Sequence, residues 1–200
     1  MTDVLGATPE GIARAADLLR DGRIVAFPTD TVYGVAVIGE SGLPALFALK
    51  GRPADRRIPM LVAALGDAID DGWKADARAH DLADRFWPGA LTIVLARSDG
   101  ATTQAFRAPD HAVALDLIRA TGPIYATSAN RSDEPDTLGA DEVLIAFAVQ
   151  QDELAAVLDG GPVPGGVAST VIDVSVDPAR ILREGPVTRD ALAEVVELAG

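Results

Sequence analysis

Apolar positions along the chain come in two rhythms. After Thr8 and Pro9, a cap residue followed by proline at the first helical position, Ile12, Ala15, Ala16 and Leu19 recur at helical spacing until Gly22 interrupts them. The run Arg23 to Phe27 then reads as a strand, as do Val32 to Ile38, Pro59 to Ala63, Leu91 to Ala96, Ile124 to Thr127, Ala168 to Val174 and Ile181 to Leu182. All are short and bounded by Gly, Pro, Asp or Ser. Helical patterns lie between them at about 41–50, 75–86, 110–120, 139–149 and 188–199. Strands and helices alternate until the loop Asp159 to Gly166, after which strands follow one another directly. A purely parallel, doubly wound sheet does not accommodate that change, so the pattern predicts an α/β fold with a mixed, twisted sheet and flanking helices. No repeat or Gly/Ser-rich linker divides the chain, and the strands after the loop are too short for a core of their own. One domain over 1–200 is the economical reading. The last helical pattern carries Leu192, Val195, Val196 and Leu198 on one side and is expected to dock back onto the body.

Composition narrows the chemistry. The chain has 200 residues, long enough to bury a core without staples, and with Cys 0 both disulfides and thiolate catalysis are excluded. Its two histidines, His80 and His111, make a His-rich zinc site a poor expectation and are read as surface or helix-cap residues. A formal net charge of -13 repels polyanions at long range, so nucleic acid is not the expected main ligand. Neither a signal peptide nor a long apolar span is recognisable. With the missing cysteines, this gives a cytoplasmic expectation and no membrane partner.

Phosphate-loop, dinucleotide, zincin and nucleophile-elbow motifs are all missing. What remains are polar residues two apart at the ends of predicted elements. Thr29 and Thr31 project to one side of an extended chain and present two hydroxyls together, unless Pro28-Thr29-Asp30 is only a turn. Lys50 and Arg52 flank Gly51 and precede Pro53 where a helix should stop. They suit an anionic ligand, Arg as a planar fork and Lys as a point charge, or simply balance a helix C-terminus. Arg56 and Arg57 extend this basic cluster. Ser128 and Asn130 share a parity at a strand end and are read either as donors to a neutral ligand or as a cap. Arg107, Ser169 and Arg183 lie within or beside short strands, where arginines more often form surface ion pairs. Asp70-Asp71 and Asp133-Glu134-Asp136 are read as solvated carboxylates, and Tyr33 and Trp87 as packing residues.

Taken in order, PTDTVYG (28–34), LKGRP (49–53), WPGALT (87–92), FRAPDH (106–111), ATSAN (126–130), LDGG (158–161), ASTVID (168–173) and ILREG (181–185) resemble the YrdC-like family, whose characterised members are threonylcarbamoyl-AMP synthases. The resemblance spans nearly the whole chain and looks like the family's short bacterial form. It implies a YrdC-like fold and a nucleotidyltransferase that joins L-threonine, bicarbonate and ATP into threonylcarbamoyl-AMP and pyrophosphate. ATP serves as substrate with Mg2+ beside it, and the product goes to a downstream threonylcarbamoyl transferase that modifies tRNA. Direct contact with tRNA is at most a weak expectation. Lys50, Arg52, Ser128 and Asn130 match the family's catalytic signature. Thr31, Arg107 and Ser169 fall where the family holds threonine, and Lys50, Arg52, Thr103, Ser128 and Arg183 where it holds ATP; metal ligands are not identified. Three departures stand out: a long basic segment, ADRRIPMLVA; Ala63 where some members carry a threonine-contacting histidine; and Arg131-Ser132-Asp133 for leucine-serine-glycine. Two alternatives stay open at this level, a non-catalytic nucleotide- or RNA-binding relative and a carbamoyl-transfer relative with another amine substrate.

Overall fold

The computed structural model describes residues 1–51, 57–100 and 102–200. Ten strands form one sheet: β1 (Asp3–Gly6), β2 (Ile24–Phe27), β3 (Gly34–Val37), β4 (Met60–Leu61), β5 (Leu91–Ala96), β6 (Thr103–Arg107), β7 (Ile124–Ser128), β8 (Leu154–Asp159), β9 (Thr170–Asp173) and β10 (Arg180–Arg183). The helices are α1 (Pro9–Arg20), α2 (Leu43–Lys50), α3 (Leu65–Asp70), α4 (Ala77–Phe86), α5 (Ala112–Thr121), α6 (Ala140–Ala146) and α7 (Arg189–Ala193). Across the sheet the order is β1-β8-β2-β3-β7-β4-β6-β5-β9-β10. The β1–β8, β2–β8, β4–β6 and β5–β9 pairs are parallel and the others antiparallel, so the sheet is mixed, as the consecutive late strands suggested.

Helix α1 starts as its sequence dictates: the Thr8 hydroxyl accepts from the Gly11 N–H at 3.2 Å and Pro9 occupies the first turn. Gly51 ends α2 at φ 61, a left-handed conformation that a glycine adopts without a Cβ penalty. The last helix is shorter than its apolar pattern predicts. Thr188 caps it, but it stops at Ala193, and the chain then turns so that Ala179 and Leu198 form a parallel bridge. Leu192 and Val196 are still buried, so the segment docks although most of it is not helical.

Alternation along the strands splits the core into two layers. Val35, Val37, Ile93, Phe106, Tyr125 and Ile172 face one side, against Leu46 and Leu49 of α2, Leu82 of α4 and Leu192 of α7. Val25, Phe27, Ala36, Leu61 and Ala126 face the other, under Ala15, Ala16 and Leu19 of α1 and Leu117 and Ile118 of α5. These two helices cover only part of that second face. Thr92, Ala105 and Val171 point the same way, between inward neighbours, and line a cavity instead.

An irregularity at the sheet's end matters for this face. Ile181 pairs with Ile172, but the next partner of Val171 is Arg183, so Leu182 is an extra residue in β10. Such a bulge shifts the alternation by one, and Arg183 takes the cavity side that Leu182 would otherwise occupy.

Candidate active site

The uncovered face encloses a cavity of about 420 Å³, within the size range of small-molecule sites. Thr29, Thr31, Ser128, Thr92, Arg107, Ser169 and Arg183 reach it from six separate stretches of chain.

At one end, the Thr29 and Thr31 hydroxyls lie 3.2 Å apart, on one side as their spacing predicts. Thr29 also makes the turn: its Oγ1 donates to the Val32 carbonyl at 2.6 Å and accepts from the N–H groups of Thr31 and Val32. Both readings of this stretch therefore hold, with the structural role on Thr29 and an available hydroxyl on Thr31.

Arg107 is buried, with its guanidinium held from two directions. Nε donates to the Gly89 carbonyl at 2.9 Å, and Nη2 donates to both carboxylate oxygens of Asp30 at 2.6 Å. Nη1 has no hydrogen bond among the described residues and is the edge left for an anion. Asp30 also acts electrostatically on His111. The His111 Nδ1 is buried without a partner among the described residues, and burial lowers its pKa against the opposing pull of Asp30 and Asp110. His111 precedes α5 in the N-cap position, but its side chain caps nothing, so only the position expected of it is realised; His80 is exposed on α4.

Across the cavity, Arg183 donates from Nε to the Ser169 carbonyl at 3.0 Å and from Nη2 to Ser169 Oγ at 3.2 Å. Ser169 Oγ lies 2.8 Å from Thr92 Oγ1. Burial, and secondarily the positive charge of Arg107, lower the Arg183 pKa. Two guanidinium groups thus share the cavity and favour an anion between them. The commoner outcome for such arginines, a surface ion pair, is not what is found: strand parity and the bulge bring both to one cavity, and the Arg107–Asp30 pair is largely buried.

The third group is built at the end of β7. Lys50, nearly fully buried, donates from Nζ to the Ser128 carbonyl, to Ser128 Oγ at 3.4 Å and to Asn130 Oδ1 at 3.3 Å. Ser128 Oγ donates to Asn130 Oδ1 at 2.6 Å, and Asn130 Nδ2 donates to the Glu134 carbonyl at 2.6 Å. Ser128 alone of the three lines the cavity; Lys50 and Asn130 hold it from behind. Asp133 adopts φ 66 in the following turn, where the resemblance put glycine. Aspartate is among the residues that tolerate this region.

Thr103 does not line the cavity. Its carbonyl and hydroxyl oxygens accept from Nη1 of Arg57 at 2.6 and 2.7 Å, and Arg57 does line it. Arg52 and Arg56 lie outside the described residues. Asp136 is exposed, as read from the sequence, and stands on the cavity's border. Tyr33 is fully buried and donates to the Gly161 carbonyl at 2.7 Å, while Trp87 donates to the Leu91 carbonyl at 2.7 Å; both are packing residues as expected. Sequence reasoning missed Thr92 and Asp30. The one signal for Thr92 was a hydroxyl interrupting the apolar run Leu91 to Ala96.

A family model described as "Telomere recombination", Sua5/YciO/YrdC, matches residues 17–185. The chain belongs to the Sua5/YciO/YrdC family. It is 38% identical to the threonylcarbamoyl-AMP synthase of Bacillus subtilis over 98% of this chain and 59% of that protein. It is 37% identical to the threonylcarbamoyl-AMP synthase of Pyrococcus abyssi over 91% of this chain and 56% of that one. The chain therefore spans less than two thirds of the length of these two relatives. A solved structure of P. abyssi Sua5 complexed with L-threonine superposes with TM-score 0.86 at 33% identity, covering all of this chain and 62% of the other. Among the described residues no helix is long and apolar enough to cross a membrane.

Proposed function

We propose that this chain is an L-threonylcarbamoyladenylate synthase acting as a cytoplasmic enzyme. It would join L-threonine, bicarbonate and ATP into threonylcarbamoyl-AMP with release of pyrophosphate, supplying a transferase that modifies tRNA. One observation carries the reading: Thr31, Arg107, Ser169, Arg183 and Ser128, distant in sequence and matched to the family's substrate positions, line a single cavity. The names and the threonine complex of the relatives support the same chemistry.

In this reading the free Nη1 edge of Arg107 takes the threonine carboxylate, a charge-assisted bond of about 1.5 to 3 kcal/mol, and Thr31 and Ser169 contact the remaining polar groups. The amine condenses with bicarbonate to a carbamate, releasing water. A carbamate oxygen then attacks the α-phosphorus, and the bond to the β-phosphate oxygen breaks as pyrophosphate leaves. Two anions must meet in that step. At about 4 Å and an effective dielectric near 20, each opposing unit charge contributes on the order of 4 kcal/mol before desolvation, so placed cations and orientation dominate catalysis.

Arg183 serves the nucleotide from the cavity wall, and the family resemblance gives Arg52 a nucleotide role as well. Lys50 and Asn130 fix Ser128 toward the phosphates, and Thr103 acts there through Arg57. Magnesium enters with ATP as part of the substrate. No strong general base is required once the carbamate exists, in keeping with the scarcity of histidine.

The purified chain mixed with L-threonine, bicarbonate and magnesium-ATP is expected to release pyrophosphate and to form an adenylate detectable by mass. Release no greater than in a threonine-free control rejects the reading.

A further inference from the structure

Thr92 is a buried polar residue of the cavity that no part of the proposed function uses. It is 4% exposed near the start of β5, lines the cavity, and touches Ser169 Oγ at 2.8 Å. Neither Thr92 nor Ser169 has another side-chain hydroxyl bond, among the described residues, beyond this contact and the one from Arg183.

The hydrogens in this string can be counted. A guanidinium only donates, so the Ser169 oxygen accepts from Arg183. An oxygen that accepts from a cation becomes a better donor through its own hydrogen, which directs the Ser169 hydroxyl toward Thr92 Oγ1. Thr92 then accepts from Ser169 and its own hydrogen remains for the cavity. The string runs one way, from Arg183 through Ser169 to Thr92, and ends in a single neutral donor. Arg107 already answers a carboxylate. A neutral donor left in the same enclosure suits a neutral acceptor.

We infer that Thr92 is a specificity-determining residue that donates to the β-hydroxyl oxygen of the amino-acid substrate. This rests on the reading that the cavity takes L-threonine. A buried donor built to meet a substrate hydroxyl penalises analogues that lack it, because the donor is then left unpaired.

Calorimetric titration of the whole chain with L-threonine and with L-2-aminobutyrate, which lacks the hydroxyl, tests this. Thr92→Val keeps the shape and the β-branched stem suited to a strand. It should bind L-threonine about five- to tenfold more weakly than the parent, with 2-aminobutyrate nearly unchanged, so that discrimination collapses. Thr92→Ser should restore it. Thermal unfolding checks that each variant is folded, and Thr92→Ala stands in if the valine variant is not. Undiminished threonine binding by a folded valine or alanine variant overturns the inference while the proposed function stands. So does equal weakening for both ligands, which makes Thr92 a shaping residue only. A parent protein that binds no L-threonine overturns both. A parent that binds threonine but releases no pyrophosphate rejects the proposed reaction, and the selectivity of Thr92 is then read from binding alone.

Discussion

Asp30 holds the guanidinium that we propose takes the threonine carboxylate. Its carboxylate and the Arg107 guanidinium are both largely buried, 15% and 11% exposed at the side chain, and Asp30 is the ion-pair partner of Arg107. Removing one member of a buried pair leaves the other charge uncompensated, so Asp30→Ala is expected to lower stability by about 3 kcal/mol, read from the urea midpoint at constant slope. Asp30→Asn, which keeps an acceptor, should cost less; no change in either variant would mean that Arg107 is held by Gly89 alone. At this scale the residues two apart were legible, because parity is a local property. Thr29 with Thr31 and Ser128 with Asn130 do meet. The Asp30–Arg107 pair and the Thr92–Ser169 contact were not, since each joins residues 77 positions apart and no local pattern encodes it.

Among the elements that border the cavity, the turn after β10 has little room to change. A Cβ on Gly185 would lie 2.5 Å from the Ala168 carbonyl oxygen, 2.5 Å from the Thr170 nitrogen and 2.8 Å from the Ser169 carbonyl carbon, all of them backbone atoms unable to rotate aside. Gly185→Ala must therefore push the Ser169 stretch away from Arg183. We expect a loss of about 1 to 3 kcal/mol in stability from overpacking, together with threonine binding weakened at least tenfold in calorimetry. A variant as stable and as tight as the parent would show that the two stretches separate without harm.

The elements themselves were unevenly readable. Strands rich in branched residues and bounded by turn residues, such as β2, β5 and β7, lie close to where the pattern puts them. Strand β8 escaped because it is buried on both faces and alanine-rich, which erases the period of two. Strand β1, strand β6 and the six-residue α3 were also missed; at four to six residues, each is too short for its period to show. The bulge in β10 is invisible to alternation, which is why Arg183 looked like a residue beside the strand rather than part of the cavity wall.

For the molecule as a whole, the mixed sheet followed from the order of helices and strands, but the order of strands across the sheet did not. The β5–β9 ladder joins Leu91 to Thr170 and the β3–β7 ladder joins Gly34 to Ser128, contacts that only the packed chain creates. The same long reach explains why the candidate site was legible as a set of residues and not as a place. Helices α1 and α5 blanket one stretch of the sheet and leave its neighbour bare, so the architecture is three layers deep over β2, β3 and β8 and only two deep at the cavity. A guest lodged there supplies the layer the polypeptide omits, and whatever it contributes counts toward folding as well as toward recognition. The midpoint of thermal unfolding should accordingly climb with added L-threonine, by the equivalent of about 2.7 kcal/mol at a hundred times the dissociation constant. A midpoint indifferent to L-threonine would mean that the folded chain does not bind it.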